Sequence, residues 1–100
     1  MSDEQDLRAR LNAQTARIPW SELAAHFARG TTIHVATDLD LVEVACQFAE
    51  DRAADISVLM SDQRVAAVNE ALAAEWFAKD QQVWAVVVAP WVLVQPVTAH

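Results

Sequence analysis

One hundred residues of 11.0 kDa are enough for one domain with a real core and too few for a second, so residues 1–100 are expected to form a single domain, its core at about 7–95. A hydrophobic fraction of 54% excludes disorder as the main state, and a single glycine, Gly30, excludes the phosphate-cradling loops that need two or more. Seven basic against fourteen acidic side chains set the formal net charge at −7, a field that repels phosphate backbones, so no nucleic-acid partner is expected.

In chain order, Ser2 and Gln5 form a capping box, and Leu7, Leu11, Thr15 and Ala16 follow at helical spacing, which predicts a first helix from Asp3 to Ala16. The stretch Asp3-Glu4-Gln5-Asp6 is acidic where a secretion signal is basic and then apolar. With one cysteine, Cys46, there is no intramolecular disulfide and no Cys-x-x-Cys motif, which suits a reducing compartment; a cytoplasmic protein is expected. Pro19 opens a second helix to Arg29, with Trp20, Leu23, Ala24 and Phe27 on one face. Glu22, His26 and Arg29 lie opposite, with His26 expected in solvent beside Glu22, and His100 is expected to fray at the terminus. Gly30 suits the left-handed cap, and Thr31 to Ala36 then alternates as a first strand with Ile33 and Val35 facing one way.

The clearest helix start is Asp40, where Asp40-x-x-Glu43 is a capping box and Leu39 can staple onto Val44. Leu41, Val44, Ala45 and Phe48, widened by Val42, Cys46 and Ala49, make this helix mostly buried. The period breaks at Asp51–Arg52 and resumes with Ile56, Leu59 and Met60, so a short partner helix ending near Ser61 completes a helical hairpin. Val65 to Val68 reads as extended, and Asn69 caps a helix carrying Leu72, Trp76 and Phe77, with Glu75 and Lys79 one turn apart.

From Gln81 onward there is no charged side chain. Val83 to Val94 is interrupted by Pro90 and is shorter than the ~20 residues of a membrane-spanning helix, so no membrane partner is expected. It reads as a strand apolar on both faces, with Val83, Ala85, Val87 and Ala89 on one and Trp84, Val86 and Val88 on the other. Such a strand is the centre of a sheet or a subunit interface. The expected fold is α+β: four or five helices on a small sheet of two or three strands, built from Thr31–Ala36, Val83–Gln95 and Val65–Val68.

Taken together, Ile18-Pro19-Trp20, the run Leu39-Asp40-Leu41-Val42-Glu43-Val44-Ala45, Trp76 and the closing Pro90-Trp91-Val92-Leu93-Val94-Gln95 resemble domain of unknown function 2288 (DUF2288), a family of small uncharacterised bacterial proteins. The resemblance spans most of residues 7–95. It implies no activity, cofactor or catalytic residue.

Chemistry must then come from constellations of side chains. His34, Asp38, Asp40 and Glu43 lie within ten residues and are the candidates for a divalent cation or an acid–base pair. Their spacing matches no standard site, and helix capping, dipole complementarity and an outward strand position account for them. No metal and no cofactor is expected. Cys46 with His26 or His34 lacks the electropositive setting of a nucleophilic thiol, and no serine elbow is present, so no catalytic residue is assigned and the balance leans away from an enzyme. Trp20, Trp76 and Trp84 are expected in the core. Trp91, next to Pro90, is the aromatic expected to meet a ligand or another subunit, with Val92 and Leu93 as interface candidates. Two functions remain in view. One is a non-catalytic interaction or regulatory module that self-associates or meets an unidentified protein through its uncharged C-terminal segment. The other is a small-molecule-binding protein or metal-assisted enzyme using the Asp38/Asp40 turn or the Trp91 region.

Overall fold

The computed structural model describes residues 3–98. Its elements are α1 (Asp3–Gln14), β1 (Ala16–Pro19), a 3₁₀ turn (Trp20–Leu23), α2 (Ala24–Ala28), β2 (Thr32–Val35), α3 (Leu41–Ala49), α4 (Ala53–Ser61), β3 (Val65–Ala67), α5 (Glu70–Ala78), β4 (Gln82–Val88) and β5 (Trp91–Pro96). The five strands form one sheet in the order β1-β4-β5-β2-β3, antiparallel except where β2 lies beside β5. The α+β class is as expected, but the sheet is larger than two or three strands. Ala16–Pro19, read as helix end and linker, is an edge strand, and Val83–Gln95 is two strands joined at the cis Ala89–Pro90 peptide.

Proline placement shows why this ladder closes. Val97 N–H donates to the Gln82 carbonyl, so even positions of β4 exchange hydrogen bonds with β5 and odd positions with β1. Pro19 stands opposite Gln82 and Pro96 opposite Val83, both at pairs that require no N–H from the proline.

Alternation then builds two cores. On one face Ile33, Val35, Val65, Val86 and Leu93 pack against Leu11 of α1 and Leu41, Val44, Ala45 and Cys46 of α3. On the other, Val83, Ala85, Val92 and Val94 pack against Trp20, Leu23, Ala73 and Trp76. Helices of the same chain therefore cover both faces of the uncharged segment. Val92 and Leu93, expected at an interface, are interior residues of the central strand, Leu93 with 0% exposure. Their expected surface role is corrected on that ground: a central strand has its neighbours on both edges and its cover on both faces.

Trp84 is also corrected. It lies on the Val86 face but between Arg17 of the edge strand and Gln95, where the helical cover stops, and it is 39% exposed. Phe77, one of the three large apolar residues read on this helix, points outward from α5 and is 66% exposed. The second helix is a 3₁₀ turn followed by only one and a half turns of α-helix.

The local signals hold elsewhere. Gly30 has φ +74°, and Asn69 Oδ1 accepts the Leu72 amide at 2.8 Å. Ser2 of the first capping box and His100 lie outside the described residues. Among the described residues no helix is long and apolar enough to cross a membrane.

Candidate functional site

The acidic turn after β2 is the first place to look for chemistry, and its carboxylates are already engaged. Asp40 Oδ1 accepts the amides of Val42 at 3.0 Å and Glu43 at 3.3 Å, capping α3. Glu43 does not close the reciprocal box; its carboxylate meets Arg8 at 2.9 Å and Arg52 at 3.9 Å. Arg8 also binds Asp40, and Arg64 binds Asp38. Burial pushes the Asp40 carboxyl up, but hydrogen bonds from Arg8 and the two amides outweigh it and hold the group below its ordinary value.

His34 does not join these groups. Strand parity sends its ring to the opposite face of the sheet, edge-on to Trp76 at 5.3 Å, where burial lowers its pKa. Among the described residues no three His, Cys, Asp or Glu side chains are grouped so as to hold a metal ion. Cys46 is buried in the α1/α3 core, across the sheet from His34. His26 is half-buried and its Nδ1 lies 3.2 Å from Arg29, rather than standing in solvent beside Glu22.

Trp91 is different. Being two residues before Leu93, it shares the α3 face of the sheet, but at the end where α3 terminates. The α3–α4 turn passes through Asp51 at φ +55°, and Arg52 secures it by binding Glu50 at 3.2 Å and Asp55 at 2.9 Å. The helix beyond it, α4, contributes no fully buried residue. Between α4, the end of α3 and Trp91 lies a groove of about 570 Å³ lined by Phe48, Asp51, Ala53, Ile56, Ser57, Met60, Ser61 and Trp91. Its lining residues are mostly aromatic, aliphatic and thioether, with two serines and one aspartate among them. It has the size of a small-molecule site, and it holds no nucleophile paired with a base.

Of these lining residues, the sequence singles out only Trp91, through its neighbour Pro90. Phe48, Ile56 and Met60 were indistinguishable from ordinary core positions, and the one available hint was that Ile56, Val58, Leu59 and Met60 place apolar groups on more than one side of a short helix. Two smaller depressions have charged rims, one between Asp6, Arg10 and Glu50, the other between Arg17, Lys79 and Asp80.

The sequence profile of a family described as "Protein of unknown function (DUF2288)" matches residues 6–96. The chain is similar to the NMR solution structure of PA1075 from Pseudomonas aeruginosa, with 39% identity, a TM-score of 0.81, and coverage of 100% of this chain and 97% of that one. No curated protein matches.

Proposed function

Because the chain belongs to the DUF2288 family, whose description assigns no activity, we propose a function from its geometry alone: a non-catalytic binding module whose site is the groove between Trp91 and the α3–α4 hairpin. The observation that carries this reading is the groove itself, where Trp91, 37% exposed, and Met60, 44% exposed, face a space that the chain leaves unfilled. Large apolar side chains lining a concavity are placed to receive an apolar group. The engaged state of Asp38, Asp40 and Glu43 argues against the acidic turn as the site.

Titration with Nile red, a neutral apolar dye, tests the reading. The dye should gain fluorescence on the native protein, Trp91→Ala and Ile56→Asn should each weaken binding several-fold, and Asp40→Asn should leave it unchanged. Binding indifferent to Trp91→Ala would overturn the assignment.

Self-association is a second reading, supported by a separate observation. β1 begins opposite Ala85, so the odd position Val87 directs its N–H and C=O toward an edge that no strand among the described residues occupies, and its side chain is 58% exposed. An uncharged open edge suits a second copy of a chain with net charge −7. Light scattering would then give a mass of about twice 11.0 kDa, reduced to monomer by Val87→Lys; a monomer at every concentration removes this reading.

A further inference from the structure

The groove's polar rim says more than its apolar walls. Around the α3–α4 turn, the carboxylates of Glu43, Glu50 and Asp55 are each bound by an arginine. Asp51 is the exception: the residue lines the groove, and its carboxylate makes no ion pair or hydrogen bond among the described residues. Its backbone is fixed because its N–H donates to the Phe48 carbonyl at 3.1 Å and its carbonyl accepts the Ala53 amide at 2.9 Å. The residue that carries the unengaged acid is thus fixed at a groove that Phe48 and Trp91 also line.

We propose that the groove takes a small amphipathic cation, an amine carried on an aromatic or branched-alkyl body. The proposal rests on the binding-module reading and names the ligand class for it. An apolar body would lie against Trp91, Phe48 and Met60, whose flat and polarisable surfaces suit an aromatic ring. An ammonium group would find its counter-charge in Asp51 and further donors or acceptors in Ser57 and Ser61. The net charge of −7 raises the local concentration of cations and opposes anions of the same shape. The eight lining residues are far fewer than the ~20–30 that a protein partner uses on each side, so a small molecule fits the site better than a macromolecular surface.

Benzylamine, benzyl alcohol and benzoate share one ring and differ in charge, which makes them suitable probes. Binding is read from the Trp91 indole N–H and the Met60 methyl resonances at low salt. Benzylamine should bind about two- to fivefold more tightly than benzyl alcohol, the range set by one partly exposed ion pair, and benzoate should bind most weakly. Asp51→Asn, which keeps a residue tolerant of positive φ, should remove most of the amine's advantage over the alcohol, whereas Trp91→Ala should weaken both. Equal affinity of amine and alcohol for the unmodified protein would overturn the cation proposal while leaving the apolar groove intact. If no probe moves either resonance, both readings fall. If the resonances respond only to protein concentration, the occupant is a second copy and the amine proposal is refuted.

Discussion

Arg8 of α1 donates to Oδ2 of Asp40, while Oδ1 of the same carboxylate caps α3 through the amides of Val42 and Glu43. One side chain therefore closes a helix terminus and draws a second helix across it. Neither half of this arrangement leaves the carboxylate available for a cation.

Asp40→Ala should lower stability by about 1–2 kcal/mol, the sum of a lost cap and an exposed ion pair. Asp40→Asn should recover most of that loss, because the amide oxygen still accepts the two backbone bonds. Urea denaturation measures both. Since the folded pKa of Asp40 is lowered, its contribution is complete above the ordinary value of 3.8 and disappears as pH falls through the lower folded value. Millimolar Mg²⁺, Mn²⁺ or Zn²⁺ should leave Tm unchanged; a rise abolished by Asp38→Ala would show that this turn is a metal site after all.

Burial lowers the pKa of His34 below its ordinary 6.5. As pH falls the unfolded chain binds this proton first, so stability declines from near pH 6.5 downward and is unaffected well above it. Thermal melts at about pH 5 and about pH 8 should show a larger acid loss for the natural protein than for His34→Gln. Parallel profiles would contradict a half-buried imidazole that stays neutral in the folded state.

Trp76 packs edge-on against both Trp20, at 5.1 Å, and His34, so Trp76→Ala should cost about 3–5 kcal/mol. Trp84→Ala should cost about 1 kcal/mol or less, because its ring already meets solvent. Denaturant melts of the two variants, with loss of blue-shifted emission only in the first, check the assignment.

Val87 and Val92 are paired across the β4–β5 hairpin but differ in fate. Val92→Lys places a charge in the interior and should abolish the cooperative transition, whereas Val87→Lys should remain folded by circular dichroism. Equal tolerance of both would mean that the core on the Trp20–Trp76 face is misassigned.

The sequence alone determined what depends on interactions over one or two turns. The Asp40 and Asn69 caps, the Gly30 turn, the break at Asp51–Arg52 and the alternation of Ile33 with Val35 are of this kind, since the groups involved are covalently close and their geometry follows from backbone dihedrals. Alternation also assigned Trp84 to a face. It could not say whether a helix covers that face, and this is where tertiary structure decided. Ala16–Pro19 becomes a strand only because β4 offers it an edge, and one apolar run becomes two strands because the chain turns at Ala89–Pro90. Trp91 reaches a groove rather than the core because α3 ends short of it and α4, some thirty residues earlier in the chain, lies to one side. Burial of a given side chain is a property of what distant segments place over it, and local periodicity carries no record of that.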